Sequence, residues 1–343
     1  MIATAPAFWW RPPGLAAAVL APIGALVGAE TLRRMGKSGG RVPVPVICVG
    51  NPTVGGAGKT PAALALLDLI ARRGGHPFAL SRGHGGTAPV PVRVDPARHT
   101  AADVGDEPLL LARRAPTIVA GGDRLAGARL AVAEGATHIV MDDGFQNPSL
   151  AKDVSLLVVD RGVGVGNGRV LPAGPLRAPL GAQLARADAL LIVGPAPEPD
   201  TLPALAALAR ANGCAPIEAV LEPDPAAVAR LRGRKLFAFA GIGRPAKFFE
   251  MLAAQGLDVV ERRPFPDHHL FGEGEMAALV AQAKARGLSL VTTTKDAARL
   301  AAFTGLRALI EVVPVTLHPA DGGALGHLVA QAEARAAARM AGS

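Results

Sequence analysis

Three short stretches carry residues whose types and spacing could move a phosphoryl group. The first is ICVGNPTVGGAGKTP, residues 47–61. It follows an apolar run and precedes a helical pattern, the context a phosphate-binding loop (P-loop) requires. Gly55, Gly56 and Gly58 let backbone N–H groups turn inward around phosphate oxygens, with Thr53, Val54 and Ala57 completing the cradle. Lys59 is placed to reach the β- and γ-phosphates of ATP, and the Thr60 hydroxyl to coordinate Mg²⁺. Thr53 stands where the pattern GxxxxGK[ST] has its first glycine. The second stretch is HIVMDDGFQ, residues 138–146. An apolar strand ending in an acid is the usual second metal-binding element beside such a loop, so Asp142 is the Mg²⁺ carboxylate, with adjacent Asp143 aimed differently. A strand-terminating turn would read the same.

The third stretch is GDEP, residues 105–108. A kinase must accept a proton from its acceptor hydroxyl. Asp106 is the candidate base, and Glu107 a second acid near metal or nucleotide. Acids in a helix first turn also simply complement the dipole. PDHH, 266–269, offers a histidine beside an acid, which can tune or orient a base; a solvated turn fits equally. SRGHGG (81–86) and LPAGPLR (171–177) bring Arg82 and Arg177, either a phosphate clamp or ordinary loop charge.

These loops need a scaffold that alternates strand and helix. Strand-like runs at 44–49, 77–80, 90–94, 117–119, 138–141, 155–159 and 190–193 alternate with helical patterns at 60–73 and 124–134. That rhythm predicts an α/β fold: a mainly parallel sheet of the P-loop NTPase kind, covered by helices on both faces. Residues 195–203 read as a linker or exposed loop, and a second alternating series runs from 217 to 313. The expected division is an N-terminal membrane-interface segment at 1–42, a P-loop kinase core at 43–195, a linker and the start of a second lobe at 196–235, and a smaller C-terminal α/β lobe at 236–343. No internal repeat is present.

The formal net charge is +8, which favours anionic partners. No basic stripe is interleaved with aromatics and no nucleic-acid motif occurs, so no nucleic acid is expected as a partner. The two cysteines, Cys48 and Cys214, form no zinc pattern. Residues 12–29 carry no charge, follow Trp9, Trp10 and Arg11, and precede Arg33, Arg34, Lys37 and Arg41. An apolar helix flanked this way suits the interface of an anionic leaflet. A cleaved signal peptide would have a basic region before the apolar run, and that region is missing here; a helix packed on the core is the other reading.

Taken in order, PVPVICVGNPTVGGAGKTP, SRGHGG, GDEP, DDGFQN, NGRVLPAGPLR, FAGIGRPAKFF, FPDHH and TTKDA resemble the tetraacyldisaccharide 4'-kinases of lipid A biosynthesis. The resemblance runs from about 43 to 297 and is extended by the apolar N-terminus. It implies an enzyme at the cytoplasmic face of the inner membrane, peripheral or monotopic. Such an enzyme transfers the γ-phosphate of ATP, with Mg²⁺, to the 4'-hydroxyl of a lipid disaccharide 1-phosphate. Carried over by position, Asp106 matches the proposed base and His268 its partner. Asp142 matches the metal carboxylate, with Thr60 and Glu107 in the metal set, and Lys59 and Arg177 contact phosphate or substrate. In this family a small polar residue is usual where Thr53 stands. His84, Asn147 and Thr294 depart from the family's usual tyrosine, histidine and acid. A membrane-associated switch ATPase is the alternative, but its KGGxGK[ST] loop would place lysine where Val54 stands, and TKDA at 294–297 does not match a GTPase NKxD motif.

Overall fold

The computed structural model describes residues 5–195, 202–301 and 303–342. The expected linker at 195–203 therefore lies mostly outside the described residues. In chain order the strands are β1 (Val46–Gly50), β2 (Pro77–Ser81), β3 (Val92–Arg93), β4 (Thr117–Val119), β5 (His138–Asp142), β6 (Val154–Asp160), β7 (Ala189–Val193), β8 (Ala215–Pro223), β9 (Lys235–Ala240), β10 (Asp258–Pro264), β11 (Ser289–Thr293), β12 (Glu311–Val313) and β13 (Val315–Pro319). They form a nine-stranded sheet, ordered β13-β8-β7-β6-β1-β5-β2-β4-β3, and a four-stranded sheet, ordered β10-β9-β11-β12. The small sheet is all parallel. The large one is parallel except at its two edges, where β3 runs against β4 and β13 against β8. The mainly parallel α/β architecture and the smaller second α/β unit are those the alternation predicts.

The central strands are continuous apolar runs because both faces are covered. In β1, Val46 and Cys48 enter one core while Ile47 and Val49 enter the other, as a period of two demands. The helix Lys59–Arg72 covers the second face with Leu66, Leu67 and Ile70. Pinned between two cores, β1 and β5 end in register, with Val49 opposite Asp142. The P-loop and Asp142 consequently emerge side by side at the carboxyl ends of the strands, where open α/β sheets bind ligands.

The expected boundaries need correction. β8 and β13 belong to the large sheet, although the first fell in the expected linker region 196–235 and the second in the expected C-terminal lobe. The terminal helix Ala324–Ala341 follows β13 home: Leu325, Leu328, Val329 and Ala332 are buried in the same core as Ile47 and Leu66. Local alternation identifies a strand but not the sheet it joins, so the second lobe is an insertion between β8 and β13 rather than a C-terminal domain.

The apolar N-terminus is a helix, Leu15–Met35. Among the described residues it is the one helix long and apolar enough to cross a membrane, with a mean hydropathy of 1.8. Its inward stripe is small: Ala17, Gly24 and Gly28 are buried. Its outward side is large and apolar, with Leu15 83% and Leu26 73% exposed and Val19 and Ile23 also open. Trp10 is exposed as an interfacial residue would be, but Trp9 turns inward and is buried.

Candidate active site

β1 delivers the chain into a loop that closes on itself before the next helix begins. Asn51 donates from Nδ2 to the Gly55 carbonyl at 3.0 Å. Gly55 and Gly58 both take φ +97°, a conformation L side chains rarely adopt, and a Cβ on Gly55 would meet nothing within 4 Å. The loop tip is thus open to a ligand on the side where side chains are absent. Lys59 is buried, with Nζ 3.5 Å from the Gly55 carbonyl and 3.9 Å from Asp143 Oδ1. Thr60 Oγ1 lies 3.4 Å from Asp142 Oδ2. Not every expected cradle residue is free: the Val54 N–H donates to the Pro175 carbonyl at 2.9 Å, and Thr53 and Ala57 are buried.

Asp142 is fully buried, and its Oδ1 has no hydrogen-bond partner among the described residues. Burial first, then the charge of Glu107, pushes its carboxyl up to about 7. A buried acid with an unmatched oxygen beside a threonine hydroxyl is suited to a hard divalent cation such as Mg²⁺, which takes few protein ligands and completes its shell with phosphate and water. Among the described residues no three His, Cys, Asp or Glu side chains stand close enough to hold a metal by themselves. Glu107 influences Asp142 electrostatically, but its Oε1 is paired with Lys295 Nζ at 3.1 Å.

Asp106 begins the helix Asp106–Ala112 and is buried. His268, from the loop after β10, comes within 3.3 Å of its Oδ2 through Nδ1. Burial pushes the Asp106 carboxyl up. The His268 hydrogen bond and the charges of Lys295 and Arg299 outweigh that and hold it well below the usual carboxylate range. Lys295 Nζ also lies 3.9 Å from Asp267 Oδ1, and His268 Nε2 3.8 Å from Asp267 Oδ2. The His84 ring meets His268 edge-on at 5.8 Å, so one departure from the family pattern sits against the proposed dyad. Asn147, another departure, caps its own turn through Ser149. Two non-glycine residues take positive φ among the described residues, Asp143 at 54° and His268 at 57°. Both are in this site, where backbone strain tends to collect.

The structure thus brings together Lys59, Thr60, Asp142, Glu107, Asp106 and His268. Arg177 is drawn into the same region but is already engaged. It donates to both Asp143 oxygens at 2.8 and 3.2 Å, to the Thr53 carbonyl at 3.0 Å and to Gln146 at 3.1 Å. Its visible work is to brace the P-loop.

Several residues here escaped the sequence reading. Arg299 caps Asp106 from the second lobe and also holds Asp296 at 2.9 Å and the Gly241 carbonyl at 2.7 Å. Lys295 was visible only as part of a motif. Its spacing of four from Arg299 puts the two cations on one helix face, the signal that could have paired them. Arg124 is buried, with Nε and Nη1 unpartnered among the described residues, and it is near enough to Asp142 and Asp143 to feel their charge. Gly243, after β9, packs so close to the P-loop that a Cβ there would lie 3.0 Å from the Gly56 nitrogen. The second lobe therefore packs directly against the P-loop.

The family described as LpxK, tetraacyldisaccharide-1-P 4'-kinase, matches residues 16–333. The chain belongs to that family. Among tetraacyldisaccharide 4'-kinases it is 62% identical to that of Xanthobacter autotrophicus over 98% of this chain and 99% of the relative. It is 56% identical to that of Azorhizobium caulinodans over 99% of this chain and 100% of the relative. The crystal structure of the "apo" form of LpxK from Aquifex aeolicus in complex with ATP shares the fold at a TM-score of 0.69 and 24% identity, covering 93% of this chain and 100% of that one. The kinase family membership and the α/β fold expected from the motifs are both borne out.

Proposed function

We propose that this chain transfers the γ-phosphoryl group of ATP to the 4'-hydroxyl of a tetraacylated glucosamine disaccharide 1-phosphate. It would do so in lipid A biosynthesis at the cytoplasmic face of the inner membrane. One observation carries the reading: the P-loop lysine and threonine, the buried Asp142 and the Asp106–His268 pair converge at one end of the large sheet in a member of this kinase family.

The residues divide the work. Gly55, Gly56 and Gly58 leave the loop open to phosphate oxygens, and Lys59 supplies the charge that would hold them. Thr60 and Asp142 would hold Mg²⁺, with Glu107 within electrostatic reach; the ion would neutralise charge on the phosphate oxygens. Asp106 would accept the proton as the acceptor oxygen bonds to phosphorus and the bond to ADP breaks. His268 orients Asp106 through Nδ1. Arg177 would act on the nucleotide indirectly, by fixing Thr53 and Asp143.

The outward apolar face of Leu15–Met35 and the basic Arg33 and Arg34 at its end support attachment to an anionic leaflet. The deciding assay supplies Mg-ATP with the lipid disaccharide 1-phosphate or with water as sole acceptor. Phosphorylated lipid is the expected product. ATP hydrolysis at equal rate with and without lipid would point to an ATPase instead.

A further inference from the structure

One short loop has the N-terminal segment on one side and the nucleotide site on the other. On its outer side, Trp9 donates from Nε1 to the Pro172 carbonyl at 3.0 Å. Asn167 donates its N–H to the Trp9 carbonyl at 2.7 Å, and its Nδ2 to the Phe8 and Ala173 carbonyls at 3.4 and 2.9 Å. The helix Leu15–Met35 lies against the same loop through glycine: a Cβ on Gly24 would be 2.8 Å from the Val170 carbonyl oxygen, and one on Gly28 3.2 Å from Pro179 Cδ. On its inner side the loop is paired with the P-loop itself. Thr53 and Leu176 form an antiparallel bridge. The Val54 N–H donates to Pro175, and the Arg177 N–H to the Pro52 carbonyl at 2.8 Å. The loop closes on itself: the Leu171 N–H donates to the Leu176 carbonyl at 2.9 Å and the Leu176 N–H to the Arg169 carbonyl at 3.0 Å.

We infer that Trp9, Gly24 and Gly28 are positioning residues for the nucleotide site: the seating of the N-terminal helix on residues 167–179 sets the geometry of Pro52–Val54 and so the affinity for ATP, whether or not a membrane is present. The glycines explain how a helix with a large apolar outer face sits so close on its inner one. The Val170 carbonyl occupies the space a side chain on Gly24 would need and Pro179 crowds Gly28, while Val170 is bridged to Leu176 and Leu176 to Thr53, so a displacement of the packed helix is passed along directly paired backbone. An anchor alone would not need this fit. It would need only the outward residues, such as Leu15, Val19 and Leu26, which are exposed.

The inference rests on the P-loop binding ATP, and the test separates the two. Mg-ATP affinity is measured by calorimetry on the full chain without lipid, and attachment by sedimentation with vesicles containing anionic phospholipid. Gly24→Leu should weaken ATP binding about tenfold, as a small misplacement transmitted to a ligand cradle would, with sedimentation unchanged. Val19→Ser with Leu26→Ser should do the reverse. Should Gly24→Leu fail to fold, Trp9→Phe keeps an aromatic side chain, though a smaller one, loses the donor, and should still weaken ATP binding by roughly two- to fivefold. Wild-type ATP affinity in the folded glycine variant, or in Trp9→Phe where that variant does not fold, overturns the inference. A wild-type chain that binds no ATP would instead remove the kinase reading beneath it.

Discussion

Arg299 donates through both Nε, at 2.8 Å, and Nη2 to the same carboxylate oxygen of Asp106, from a position 193 residues away in the chain. Both side chains are buried, and the same guanidinium also reaches Asp296 and the Gly241 carbonyl. The contact joins the proposed base on the P-loop lobe to the inserted lobe. Removing one member of a buried pair leaves the other charge uncompensated, at a cost of roughly 3–5 kcal/mol. Arg299→Met should therefore lower the thermal midpoint by several degrees. It should also reduce turnover more than it changes ATP affinity, because the phosphate-holding residues are untouched. Calorimetric melting together with steady-state kinetics would check both halves.

Lys59→Ala should abolish measurable transfer, with a fall of at least about 10²–10³, the loss seen when one preorganised electrostatic donor is removed. ATP binding should weaken sharply. Equilibrium titration with Mg-ATP and a fixed-time transfer assay are the readouts, and near-normal turnover would remove the P-loop argument.

Asp106→Asn keeps the shape and removes the proton acceptor. Turnover should fall by roughly 10²–10⁴, with ATP affinity nearly unchanged. His268→Ala should cost less, since the histidine touches Asp106 at 3.3 Å and acts through it. The double variant should lose less than the product of the single losses, as residues acting as a unit do. Fully multiplicative losses would mean that the two act separately.

Arg177→Ala distinguishes bracing from acceptor contact. Because Arg177 is bound to Asp143 and to the Thr53 carbonyl, its loss should raise the Michaelis constant for ATP by about tenfold or more, with less change for the lipid acceptor. A rise confined to the lipid would restore Arg177 as a substrate ligand.

Asp142 predicts an unusual pH dependence. Its folded pKa, raised to about 7, exceeds the unfolded value of about 3.9. Between those values the folded state binds more protons than the unfolded one, so this residue's contribution to stability falls as pH rises from about 4 to 7. Asp142→Asn should consequently raise the melting temperature of the metal-free protein at pH 8 by at least about 2–4 °C, the shift expected for each kcal/mol in a domain of this size. The same variant should lose the stabilisation that Mg-ATP gives the wild type. Melting curves at pH 5 and pH 8, with and without Mg-ATP, test both signs.

What could be read in advance follows the range of the contacts. Lys59, Thr60 and Asp142 were legible because a strand, a loop and a helix start are contiguous, and a buried strand ending in an acid leaves few alternatives. Asp106 and His268 were individually ambiguous; only the fold brings two such loops within 3.3 Å. Arg299 was invisible because its partner lies on another lobe and an arginine in a short helix has many ordinary uses. Arg177 was legible as a phosphate-region cation but not as one already committed to Asp143. Trp9 carried an interfacial signature and turned inward, since the carbonyl of Pro172 satisfies its indole N–H. The strand β13 was recognisable as a strand, yet nothing in VTLHP says that it pairs with β8.

That pairing makes the lobes share two cords of chain instead of one. The outgoing cord leaves β8 at Pro223, the returning cord enters β13 at Val315, and the two are stitched by the bond from the Asp224 N–H to the Pro314 carbonyl at 2.9 Å. A door hung on two adjacent pins can swing, but it cannot spin. Any opening of the nucleotide cleft should pivot near Asp224 and Pro314, keeping Gly243 on an arc that returns it to Gly56. Cutting the chain at residue 236 would not yield a free-standing C-terminal domain, because that fragment would carry away an edge strand and a covering helix belonging to the other half.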